Sequence, residues 1–65
     1  MNNPTKKLTN EQIQEIAAEI GVPVGQVREV AQDHQLIEQF IQANPHFSDA
    51  SAVQFIAFER AFHDE

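Results

Sequence analysis

Residues 16–30 read IAAEIGVPVGQVREV, and the reading of this stretch decides the fold. Its first half is the end of an amphipathic helix. Ile13, Ile16, Ala17 and Ile20 recur at i, i+3, i+4 and i+7, so their side chains share one face. Gly21 follows where the chain must leave the helix through a positive φ, which glycine reaches without the steric cost of a Cβ. Val22-Pro23 completes the break, because proline disfavours helical geometry in the residue before it. Pro23 or Val24 starts a second helix, proline being suited to a first turn. Val27 and Val30 begin its apolar stripe.

Working outward toward the N-terminus, the first helix starts at about Asn10. Thr9 or Asn10 is a good N-cap, since its side-chain oxygen accepts from the unpaired amides of the first turn. With Thr9 as cap, Gln12 completes a capping box and Leu8 can staple onto Ile13. Residues 1–7 read as a flexible N-terminal arm, and 8–65 as a single helical domain. Met1 to Thr9 has no apolar core of the kind a secretory signal carries.

Toward the C-terminus, the second helix continues to about Ala43 with the stripe Val27, Val30, Ala31, His34, Ile37 and Ile41. Leu36 and Phe40 lie off that stripe. A break over Asp33–Gln35 is left open, since nothing in the triplet strongly favours helix. His34, placed on an apolar stripe, reads as a hydrogen-bonded core or boundary histidine. Asn44-Pro45 stops the helix. Ser48 or Asp49 caps a last helix running to about His63. No period-2 alternation of useful length occurs, so no sheet is expected.

The last helix is apolar nearly all round. Val53, Ile56, Ala57 and Ala61 form one face, and Phe55, Phe58 and Phe62 another, roughly opposite. Two readings compete. The helix is central and covered on both sides by the others, or the Phe face meets a second chain. Leu36 and Phe40 would extend that patch.

The stretch 16–30 resembles the bacterial helix-turn-helix pattern of small bacterial and phage regulators, the likeness extending over residues 10–33. Ala17 is the small residue where two helices approach, Gly21 the turn glycine, and Val22, Val27 and Val30 the anchors of the second helix. Any two short helices joined by a Gly turn give part of this pattern. The resemblance implies a second helix offering Gln26, Arg28 and Gln32 to DNA, with Lys6 and Lys7 on the arm reaching phosphate or the minor groove. Glu29 and Asp33 share that surface, and Pro23, Val24 and Gly25 replace the polar side chains usual at the helix start.

Charge bears on the choice. The 65 residues carry ten Asp and Glu against four Lys and Arg, a formal charge of −6, so nucleic acid is disfavoured as a partner. Glu11, Glu15 and Glu19 form an acidic ridge at i, i+4 and i+8. It reads as a solvated face or as a surface for a basic partner, including a mimic of a DNA backbone. Zero Cys excludes a disulfide framework and thiolate metal sites. His34, His46 and His63 lack the spacing of a metal motif, and a site at His63, Asp64 and Glu65 would fray. Ser48 and Ser51 stand near His46, but 65 residues cannot build a water-excluding pocket around them.

The sequence therefore predicts an all-α, compact three- to four-helix domain with a helix-turn-helix-like first pair. The expected function is that of a small non-enzymatic regulatory protein, without cofactor, metal, small-molecule substrate or membrane partner, in the cytoplasm. It acts on a protein partner or as a homodimer through Phe55, Phe58, Phe62, Leu36, Phe40 and the ridge Glu11, Glu15 and Glu19. The alternatives are a dimeric DNA-binding transcriptional regulator and a structural or assembly subunit.

Overall fold

The computed structural model describes residues 8–63, and within them the chain is all-α, with no strand. Four helices follow in order: α1 (Asn10–Ile20), α2 (Val24–Gln32), α3 (His34–Ala43) and α4 (Asp49–Phe62). The expected arm over residues 1–7, with Lys6 and Lys7, lies outside the described residues, as do Asp64 and Glu65.

Both ends of α1 are closed by local chemistry. The Thr9 hydroxyl accepts from the Gln12 N–H at 3.1 Å, and the Gln12 side chain accepts from the Thr9 N–H at 3.0 Å, the reciprocal capping box. Gly21 ends the helix at φ 73°, ψ 36°. The N–H groups of Gly21 and Val22 both reach the Ala17 carbonyl, at 2.8 and 3.1 Å. This satisfies a carbonyl that the helix end would leave unpaired. It also turns Val22 inward, where it is buried with Ala17. Pro23 stands one residue before α2 and offers it no side-chain cap.

The long second helix of the sequence reading is two helices. Asp33, at φ −89° and ψ 81°, ends α2 and begins α3. Its N–H donates to the Val30 carbonyl at 3.0 Å, and its carboxylate accepts from the Leu36 N–H at 3.2 Å. The kink resets the helical phase. His34 and Gln35 face solvent, so the expectation of a core or boundary histidine is corrected. Ile37 is buried, and Leu36, Phe40 and Ile41 are half-buried against the core. Leu36 and Phe40, off the stripe of a continuous helix, are on the packing side of α3.

Ser48 caps α4 by accepting from the Ser51 N–H at 3.1 Å, and Asp49 adds a negative charge to the first turn, where the helix dipole favours it. α4 packs on α1, α2 and α3, whereas α1 and α3 make no contact among the described residues. The buried residues are Ile13, Ile16, Ala17, Val22, Val27, Val30, Ile37, Ala52, Val53, Ile56 and Ala57. Val27, Val30 and Val53 are the largest side chains fully enclosed. The core is therefore built from small and β-branched residues, and none of the five Phe belongs to it.

Candidate protein-interaction surface

α4 has two sides of different use. Ala52, Val53, Ile56 and Ala57 face the other helices and are buried. On the opposite side Phe55, Phe58 and Phe62 are 42%, 47% and 57% exposed. The reading in which α4 is covered all round is thereby corrected. Three helices pack on it, but they leave this side open. A Phe side chain offers roughly 150–250 Å² for burial. Half-exposed rings on one helix thus leave roughly 300 Å² of aromatic surface in water, near the lower end of the largest patches on small monomers.

The open side has a rigid edge. Phe40 of α3, Phe47 of the loop before α4, and Phe55 form an aromatic triangle. Phe40 and Phe47 meet edge to face, with ring centroids 4.9 Å apart and planes at 88°. Phe55 lies 5.4 Å from Phe40 and 6.0 Å from Phe47. The turn that carries Phe47 is held by Asn44. The Asn44 Nδ2 donates to the Phe40 carbonyl at 3.0 Å, and the Asn44 carbonyl accepts from the Phe47 N–H at 3.0 Å. Farther along α4, Phe58 and Phe62 stack on each other at 4.7 Å.

Phe40 therefore joins the Phe side of α4 directly. Leu36 is half-buried and packs against the core. Phe47 and Asn44 were missed because a loop residue has no helical period. The one available signal was an aromatic residue two positions after Pro45.

Glu11, Glu15 and Glu19 are all exposed on α1. Glu19 is tied to α4, because its carboxylate accepts from the Gln54 Nε2 at 3.3 Å. The acidic ridge thus lies on one flank of α4, and the aromatic triangle on the other.

The residues offered for DNA are not brought into one group. With about 100° per residue, Gln26 and Arg28 stand about 200° apart around α2. Gln26 and Glu29 line a shallow depression with Arg60 of α4. Arg28 and Gln32 line another with Asn10, Ile13 and His34. Glu29 is exposed, on the flank of α2 beside Arg60 of α4. Arg28 is the one cation of α2.

No group of three or more His, Asp and Glu is placed to hold a metal ion among the described residues. Nor is any helix among them long and apolar enough to cross a membrane. Comparison with protein families, with curated proteins and with solved structures finds no match to this chain.

Proposed function

We propose that this chain is a small, non-enzymatic regulatory protein that works by protein–protein contact and self-associates through the Phe side of α4. One observation carries the reading. The three large apolar side chains exposed on the described surface, Phe55, Phe58 and Phe62, all lie on one side of one helix. Burying such surface drives association, and aromatic residues are common centres of interfaces because they bury much area at low entropy cost. The acidic ridge beside it steers basic partners more than it adds affinity.

Sedimentation of the wild-type protein over a wide concentration range tests this reading, alongside Phe58→Asp. The wild type is expected to dimerise, and Phe58→Asp to stay monomeric with unchanged helical circular dichroism. A wild type that remains monomeric at millimolar concentration and captures no protein partner overturns it.

A second reading is a dimeric DNA-binding regulator. It is favoured by the α1–Gly21–α2 arrangement, with Ala17, Val22, Val27 and Val30 buried between the helices. The resemblance to helix-turn-helix regulators rests on the same residues. Glu29, exposed on the same helix, weighs against it, because a carboxylate repels phosphate. A mobility shift of duplex DNA at low salt, abolished by Arg28→Ala, would establish it.

A further inference from the structure

With about 100° per residue, Phe55, Phe58 and Phe62 fall within about 60° of one another and form one apolar seam along α4. Carboxylates stand on both edges of it. Glu59, exposed, follows Phe55 by four residues and precedes Phe62 by three, so it borders the seam on one edge. Gln54 precedes Phe58 by four residues and marks the other edge. There the Glu19 carboxylate is held by the Gln54 Nε2 at 3.3 Å. Arg28 and Arg60, the Lys and Arg residues of the described chain, stand away from the seam. Arg28 lines a depression with Asn10, Ile13 and His34. Arg60 lines one with Gln26 and Glu29 of α2, at least about 140° around α4 from every ring.

We infer that the seam docks a basic amphipathic helix of a partner protein. Its apolar face covers the rings, and its Lys or Arg side chains meet Glu59 on one edge and Glu19 on the other. The inference rests on the reading of the Phe side as a contact surface, and it names a partner that competes there with a second copy.

Charge complementarity selects this occupant. A helix with an apolar stripe and cations on either side of it matches an apolar seam with carboxylates on either side. The stems of Lys and Arg lie along ring edges while their charged ends reach outward to the rim. A second copy brings the same carboxylates to the same edges, together with a formal charge of −6. The basic helix therefore displaces it. The rim likewise repels an anionic lipid surface.

Length and area set the scale. From Phe55 to Phe62 the seam runs about 10 Å, so two to three turns of a partner helix cover it. Phe40 and Phe47 widen it at the Phe55 end. The roughly 300 Å² of ring surface suits a transient contact, a class that buries less than about 1,200 Å² over both partners. The complex forms fast, is steered by charge and dissociates readily.

A synthetic peptide of about 18 Leu and Lys residues, with Leu on one helical face, tests this when titrated into the intact chain. Nuclear magnetic resonance shifts locate it, and sedimentation follows the dimer. A peptide of the same composition, with Leu scattered around the helix, serves as comparison. The amphipathic peptide is expected to shift the resonances of Phe55, Phe58 and Phe62, to dissociate any dimer, and to bind less tightly as salt is raised. Phe58→Ala, a change at an exposed ring, should weaken it about tenfold with unchanged helical circular dichroism. Glu59→Gln and Glu19→Gln should each weaken it about two- to fivefold. Glutamine at 19 keeps an acceptor for Gln54 while removing the charge. Glu29→Gln, on α2, should leave it unchanged. Equal binding of the scattered peptide, or equal losses in Glu29→Gln and Glu59→Gln, means attraction to net charge alone and overturns the inference. Ring shifts produced by phosphatidylcholine vesicles and not by the peptide overturn it as well. A dimer that the peptide neither binds nor dissociates overturns it and leaves self-association standing. A chain that binds neither itself nor the peptide overturns both.

Discussion

The ring of Phe58 lies 4.7 Å from that of Phe62, centroid to centroid, and both rings stand on the side of α4 that no other helix covers. The pair shields part of its own apolar surface by stacking, at an angle of 44° between the planes. Aromatic pairs of this kind contribute about 0.5–1.5 kcal/mol beyond the area they bury. The structure thus separates residues that hold the fold from aromatic residues that stay in water.

That separation gives a contrast between two truncations. Val27→Ala removes two methyl groups from a fully buried site and should cost about 2 kcal/mol by transfer and cavity terms together. Phe62→Ala removes a much larger side chain from the surface and should cost less than about 1 kcal/mol in the monomer. Urea denaturation of dilute protein measures both. A Phe62→Ala loss equal to that of Val27→Ala would place the ring in the core and sink the distinction.

The two glycines should respond to the same substitution with opposite signs. A Cβ at either would meet no atom within 4 Å, so packing does not decide. Gly21 sits at φ 73°, where an L side chain is strained, and Gly21→Ala should destabilise by about 1 kcal/mol. Gly25 lies inside α2 with no positive φ, so Gly25→Ala should stabilise by about 0.5–1 kcal/mol through helix propensity and a less flexible unfolded chain. Thermal melts of the two variants decide the matter.

Caps should matter at α1 and at the kink. Thr9→Ala deletes one half of the capping box and should cost about 1 kcal/mol. Asp33→Ala removes the carboxylate that receives the Leu36 N–H and should cost a similar amount, about 1 kcal/mol. Amide exchange offers a local check. Leu36 should lose protection selectively in Asp33→Ala, and Gln12 in Thr9→Ala.

Salt distinguishes the two functional readings. Each copy carries a formal charge of −6, so association of like copies works against repulsion. Raising ionic strength until the screening length falls from about 30 Å to about 3 Å should tighten self-association. Binding to DNA would weaken over the same range, because displaced counterions then compete. Sedimentation at low and high salt reads the sign, and weaker dimerisation at high salt would count against an apolar seam.

Much of the architecture could be read from the chain because it is written locally. The ends of α1 depend on Thr9, Gln12 and Gly21, which act within four residues of their partners. α4 likewise begins at Ser48 for a reason visible in three residues. Asp33 resisted the same treatment. An aspartate is a mediocre helix residue and a good cap, and only tertiary packing decides which role it takes. A stripe continued in phase from α2 through Asp33 puts His34 on the apolar side, whereas the kink turns it to solvent. The exposed Phe side was one of two readings, since a wheel shows that a helix has two apolar faces but not how many neighbours arrive to cover them. Phe47 and Asn44 lay beyond any periodic argument, for their positions follow from the turn between α3 and α4.

The placement of all five Phe outside the core has a spectroscopic corollary. With neither Trp nor Tyr in the chain, phenylalanine is the sole aromatic chromophore. Near-ultraviolet dichroism of this protein therefore reports on its surface, on the triangle at Phe40, Phe47 and Phe55 and the stack at Phe58 and Phe62. Far-ultraviolet dichroism follows the helices. The two signals need not move together, so a partner that seats on α4 should leave a near-ultraviolet signature while the helical spectrum stays still.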